Sequence, residues 1–133
     1  MANNQIELFL QSSAFAVVGA SSNRAKYGNK VLRCYLQHGK TVYPINPQEE
    51  LIEGLPVLHS ISDLPNNVAS ISIITPPSVT EKIVTEAIKK GIKNIWMQPG
   101  AESDAAIQNG KNHGLNIIAG GPCILVLMGY HES

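Results

Sequence analysis

Apolar residues in this chain come in two alternating forms: short, mostly apolar runs, and longer stretches in which they recur every three or four positions. The runs cover residues 14–18, 41–45, 69–74, 93–97 and 115–119. Strands buried on both faces of a sheet have this character. The stretches between them predict helices. Residues 3–12 place Ile6, Phe9 and Leu10 on one face. Residues 27–38 carry Val31, Leu32, Tyr35 and Leu36 at helical spacing, with Gly39 as a C-terminal cap. The clearest helix opens at Pro77 or Ser78 and ends near Lys90, capped by Gly91, with Val79, Ile83, Val84, Ala87 and Ile88 as its core stripe. Residues 103–113 predict a helix capped by Gly114. After a loop through Gly54, residues 55–58 predict a short extended piece and residues 60–64 one helical turn.

Parallel strands need crossover connections, which the helices supply. The pattern therefore predicts an α/β domain: a Rossmann-like, doubly wound open sheet of about five parallel strands with helices on both faces. No linker or internal repeat divides the 133 residues, so a single domain spans 1–133. In this architecture a ligand lies beyond the carboxyl ends of the strands, at the switch point. That points to the loops at residues 19–27, 46–50, 75–78 and 98–102.

Formal net charge is zero, which disfavours nucleic acid or an anionic membrane as a partner. An anionic ligand must be held by local groups. Cys34 and Cys123 fit no metal or redox spacing and read as reduced thiols of a cytosolic protein. The N-terminal residues lack the features of a signal peptide, and no apolar run approaches a membrane span.

The first run leads into Gly19-Ala20-Ser21-Ser22-Asn23-Arg24. A dinucleotide fingerprint would read G-x-G-x-x-G here. Gly19 is in register, Ser21 stands in place of the second glycine, and Gly28 comes too late for the third. The reading is a modified Gly-x-Ser phosphate loop, with Ser21, Ser22 and Asn23 as donors, Arg24, Lys26 and Lys30 as local cations, and the amides opening the next helix favouring an anion. A polar strand–helix connection without a ligand is the competing reading. An NAD site would place an acid at the end of the second strand. That strand instead ends in Asn46-Pro47, with no acid before Glu49. Asn46-Pro47 reads equally as a ligand-facing turn or a plain one.

Several segments occur in a fixed order: 17–21 (VVGAS), 26–31 (KYGNKV), 43–47 (YPINP), 54–57 (GLPV), 74–77 (ITPP), 95–100 (IWMQPG) and 121–123 (GPC). This series resembles the small CoA-binding proteins of bacteria, a family similar to the N-terminal CoA-binding domain of succinyl-CoA synthetase α subunits. The similarity covers residues 13 to 125 or so. The resemblance implies coenzyme A or acyl-CoA as the cofactor. Its phosphate loop would be Gly19, Ala20, Ser21, Ser22, Asn23 and Arg24, with Lys26 and Tyr27 following. Asn46 and Pro47 would lie near the adenosine. Thr75, Pro76, Pro77, Met97, Gln98, Pro99 and Gly100 would line the cofactor. Where the synthetases carry a lysine after the second-strand turn, this chain has Gln48 and Glu49.

The expected function is non-catalytic binding of CoA, as a sensor, carrier or regulatory partner. The alternative is a CoA-binding component of a multi-subunit acyl-CoA ligase, and a NAD(P)-binding protein ranks below both. No catalytic or metal-ligating residues are assigned, since His38, His59, His113 and His131 have no acid or nucleophile at a diagnostic spacing. Self-association and an acyl-CoA enzyme partner both stay open. Cys123 reads first as a small buried hydrophobe, and second as a thiol able to form a mixed disulfide with the cofactor.

Overall fold

The computed structural model describes residues 2–121 and 123–132. Five parallel strands form the main sheet: β1 (Ala14–Val18), β2 (Val42–Ile45), β5 (Val68–Ile73), β6 (Asn94–Met97) and β7 (Asn116–Ile118), in the order β2-β1-β5-β6-β7. Every ladder is parallel. The crossovers are α2 (Tyr27–Gln37), α3 (Pro77–Lys90) and α4 (Asp104–Asn112), with α1 (Ala2–Leu10) ahead of β1 and a short α5 (Ile124–Leu127) after β7. The chain reverses direction across the sheet between β1, which pairs with β2 on one side, and β5 on the other. That reversal opens a crevice at their carboxyl ends. The predicted α/β architecture is the observed one.

Strand β1 shows why the runs are mostly apolar. Ala14, Ala16 and Val18 face a core shared with α3 and α4, while Phe15 and Val17 face one shared with α1, α2 and α5. On the second face the rings of Phe9 and Trp96 meet edge to face at 5.4 Å, and Phe15 stacks on Tyr35 at 4.9 Å. Helix α1 is pinned there by polar contacts: Ser70 Oγ donates to the Phe9 carbonyl and Asn116 Nδ2 to the Gln5 carbonyl. Helix α3 ends where Gly91 adopts a left-handed φ of 91°, which fits its capping role.

Three details differ from the expectation. Thr80, not Val79, takes the inward position in the first turn of α3, because its hydroxyl bonds Thr75 Oγ1 at 2.8 Å, leaving Val79 exposed. Leu36 sits at the exposed edge of the α2 stripe. The predicted loop through Gly54 is an antiparallel hairpin, β3 (Leu51–Ile52) and β4 (Leu55–Pro56). Its two-residue turn places Glu53 at φ 51° and Gly54 at φ 78°, the pair of positive angles a tight hairpin requires. The predicted turn after β4 is a single 3₁₀ turn, Ile61–Asp63. Of the segment at 121–123, Pro122 lies outside the described residues.

Candidate functional site

The site begins with two glycines. Gly19 ends β1 at φ 95°, and a Cβ there would stand 2.7 Å from the Ile74 carbonyl oxygen. Gly28, in the first turn of α2, has an ordinary φ, yet its Cβ would stand 2.1 Å from the Gly19 carbonyl oxygen. The start of α2 is therefore pressed against the strand-end turn. In the dinucleotide fingerprint the third glycine allows such helix–strand contact. Gly28 does that work here after a longer loop, which the spacing argument missed.

The amides of the loop divide into two groups. Gly19 and Ala20 both donate to the Ile45 carbonyl, at 3.2 and 3.3 Å. Asn23 N–H donates to Ser21 Oγ, Ala25 N–H to Asn23 Oδ1 and Lys26 N–H to the Asn23 carbonyl. Ser22 N–H donates to a carboxylate oxygen of Glu49 at 3.0 Å. The amides of Ser21, Arg24, Tyr27 and Gly28 have no partner among the described residues. These donors, two on the loop and two opening α2, are the ones available to an anion.

Side chains lock the loop from behind. Asn29, fully buried on α2, donates through Nδ2 to the Ser21 carbonyl at 2.8 Å and to Glu53 at 3.1 Å. Its Oδ1 accepts from Nε of the buried Arg33 at 2.7 Å, and Arg33 Nη2 donates to the Arg24 carbonyl at 3.0 Å. Arg24 itself is exposed and pairs with Glu53 at 3.3 Å. Asn46 donates to the Ala20 carbonyl and accepts from the amides of Gln48 and Glu49. Its side chain thus ties the second loop to the first. Glu49, dismissed as too late to be the acid after β2, is brought onto the 19–27 loop by this turn. Asn29, Arg33 and Glu53 escaped the sequence reading because their role depends on a hairpin and a helix meeting across the crevice.

Two clefts flank Thr75, which lines both. The larger, about 570 Å³, lies at the ends of β5 and β6 against Tyr27, Pro76, Pro99, Gly100 and Cys123. The smaller, about 220 Å³, lies at the ends of β1 and β2 against Gly19, Pro47 and His59. Ser21 through Lys26 line neither cleft, and residues 22–26 are exposed. Pro77 opens α3. Met97 is enclosed in the core. Gln98 is fully buried, its Oε1 accepting from the Tyr27 hydroxyl at 3.1 Å and from Ile124 N–H at 3.0 Å. His38 and His113 each bond a carbonyl four residues earlier, and His59 sits 2.9 Å from Glu50.

The Ser22 hydroxyl and backbone amide together hold the Glu49 carboxyl below its ordinary value, with Lys26 adding to the effect. A folded-state value below the unfolded one gives stability that is complete above the unfolded value and lost as pH falls through the folded one. Glu49→Gln keeps an acceptor for Ser22 and removes the titration. We expect it to flatten part of the fall in Tm between about pH 5 and pH 3. Identical slopes for the two proteins in thermal melts across that range would show that Glu49 does not latch the loop.

The CoA binding domain family matches residues 13–129. Among curated relatives, the α subunit of ADP-forming acetate–CoA ligase II of Pyrococcus furiosus is 25% identical over 139 residues, covering 96% of this chain and 30% of that protein. The chain spans less than a third of the length of the curated relatives it matches. Among solved structures, a conserved hypothetical protein of Pyrococcus furiosus superimposes with a TM-score of 0.82 at 40% identity, covering 86% of this chain and 97% of that one. A hypothetical protein of Pyrococcus horikoshii OT3 gives a TM-score of 0.87 at 30% identity, over 95% of this chain and 88% of that one. These relatives are archaeal, so the resemblance extends beyond the bacterial proteins. Among the described residues no helix is long and apolar enough to cross a membrane.

Proposed function

The chain belongs to the CoA-binding domain family, and from that membership we propose that it holds coenzyme A along the carboxyl edge of its sheet as the CoA-binding component of an acyl-CoA ligase. The observation that carries this reading is the set of amides at Ser21, Arg24, Tyr27 and Gly28, unpartnered among the described residues and gathered where α2 meets the end of β1. The pyrophosphate sits on these amides, with Arg24 and Lys26 beside it. The adenosine lies toward Pro47 and the smaller cleft. The pantetheine arm crosses Thr75 into the larger cleft, whose walls of Pro76, Pro99 and Ala101 suit a mostly apolar chain. The remaining ligase chemistry belongs to other domains or subunits, as the small share of the ligases that this chain covers supports.

A second reading, a stand-alone CoA carrier or sensor, is favoured by the Pyrococcus furiosus structure, matched over 97% of its own chain. Co-purification with a larger nucleotide-binding subunit supports the ligase component. Recovery of CoA-loaded protein without one supports the carrier.

A ligand that binds only the native state raises Tm by mass action. CoA is expected to raise Tm clearly, and NAD or NADP much less. Arg24→Ala, which removes a charge-assisted contact, is expected to raise the Kd for CoA about tenfold, about 1.4 kcal/mol. Equal shifts with all three nucleotides, or none with CoA, overturn the CoA reading. An unchanged Kd in calorimetry of the variant puts the phosphates elsewhere.

A further inference from the structure

Cys123 is a free, half-buried thiol on the wall of the larger cleft, opposite the strand ends of β5 and β6. Its sulfur is hydrogen-bonded to the Tyr27 hydroxyl, which also reaches Gln98 Oε1 at 3.1 Å. A phenol has one proton. When Tyr27 donates to Gln98, the thiol donates to Tyr27, giving a chain from Sγ through the phenol to the carboxamide. The Ile124 N–H at 3.0 Å fixes which end of that carboxamide is oxygen, since a flip would set two donors against each other. Gln98 Nε2 is then a fully buried donor with no partner among the described residues. A buried donor left without an acceptor calls for one. Gln98 itself is fully enclosed and is joined to the cleft through the Tyr27 hydroxyl, which lines that cleft together with Cys123.

We propose that Cys123 is a covalent anchor for coenzyme A, formed by thiol–disulfide exchange at the inner end of the larger cleft. The inference rests on the CoA reading above, because a nucleotide end held at Ser21–Gly28 sends the thiol end past Thr75 toward this cysteine. The partner in exchange is a disulfide of CoA. The Cys123 thiol releases its proton to solvent. The thiolate attacks the CoA sulfur, the Cys123–CoA disulfide forms as the incoming disulfide bond breaks, and the departing thiolate takes a proton from solvent. One disulfide is consumed and one is made, so no external oxidant is needed. Tyr27 stabilises the attacking group by turning its O–H from Gln98 to the sulfur. Burial, and then its bond to Cys123, raise the Tyr27 pKa above the ordinary phenol value, so it keeps the proton it donates. Cys34 lies fully buried on α2, away from the cleft lining, and burial raises its pKa to about 11.

The test incubates the full chain with the disulfide dimer of CoA and follows it by intact mass spectrometry without reductant. The expected product carries one CoA per chain, mapped to the Cys123 peptide and released by dithiothreitol. Cys123→Ser gives no adduct, Cys34→Ser gives the wild-type adduct, and Tyr27→Phe slows labelling about tenfold, the loss of one hydrogen bond to a thiolate. Oxidised glutathione labels at least roughly tenfold more slowly than the CoA disulfide, since it lacks the nucleotide that is held. Equal rates for the two disulfides, or labelling at Cys34, overturn the anchor. Reduced CoA, tested by thermal shift on Cys123→Ser, separates the two claims. A shift without any adduct on the wild type removes the anchor and leaves CoA binding intact. No shift and no adduct remove both.

Discussion

Gly28→Ala is expected to destabilise the protein by about 3 kcal/mol and to lower Tm by roughly 10 °C. The added methyl carbon would stand 2.1 Å from the Gly19 carbonyl oxygen, 3.0 Å from the Gly19 carbonyl carbon and 3.3 Å from the Ala20 Cα. All three are backbone atoms of the turn that ends β1, so no flexible side chain can give way. Relief requires α2 to move away from the sheet. That helix carries Val31, Leu32 and Tyr35, each fully buried, so a shift opens the core beneath it. Alanine is otherwise a better helix former than glycine by about 1 kcal/mol. A destabilised variant therefore isolates the steric term. The same shift separates the Tyr27 and Gly28 amides from those of Ser21 and Arg24, and CoA affinity should fall with stability. Chemical denaturation and calorimetry read both effects. A variant as stable as the wild type would mean that α2 does not press on the turn as described.

How much of this was legible in the sequence depended on the range of the interactions. The five strands and four main helices follow from local periodicity, because a strand covered on both faces is mostly apolar and tolerates only polar residues that find buried partners, as Ser70, Ser72 and Asn94 do. The loops proposed to form the site followed from the same reasoning, since a doubly wound sheet brings its strand ends to one edge. The carboxylates were not legible. Glu49 stands four residues past β2 and looks too late to face a ribose, yet Asn46 folds the turn back so that it meets Ser22. Glu53 belongs to a hairpin of two-residue strands, too short to leave a period-2 pattern. Thr80 displaced Val79 through a hydroxyl pair with Thr75 that no hydrophobicity pattern encodes. Gln98 was noted as polar at a ligand edge, but its burial behind Tyr27 and the approach of Ile124 required the tertiary structure.

Asn29 supplies the second large effect, because three parts of the site meet on one carboxamide. Its Nδ2 joins the Ser21 carbonyl of the loop after β1 to Glu53 of the hairpin, and its Oδ1 receives Nε of Arg33. Arg33 is 5% exposed, and its remaining contacts are the Arg24 carbonyl, the Tyr130 ring at 5.6 Å and Glu132 at 3.7 Å. Asn29→Leu keeps the number and branching of the side-chain heavy atoms in a bulkier group and removes all three bonds. The guanidinium Nε and the Ser21 carbonyl then remain buried without partners, and the expected loss is about 3 kcal/mol, as for a buried charge deprived of one partner. Asn29→Asp separates packing from hydrogen bonding. It preserves the acceptor for Arg33 and fails as a donor to Ser21 and Glu53, next to which it sets a second negative charge. Its stability should fall between those of wild type and Asn29→Leu, and its CoA affinity should fall at least as far as that of Asn29→Leu, because the added charge lies behind the amides proposed to receive the phosphates. Denaturant midpoints order the three proteins, and calorimetry ranks their Kd values. If Asn29→Leu matched the wild type in both measurements, the loop would be held by its own turns alone, and the reading of α2 as the brace of the phosphate site would fail.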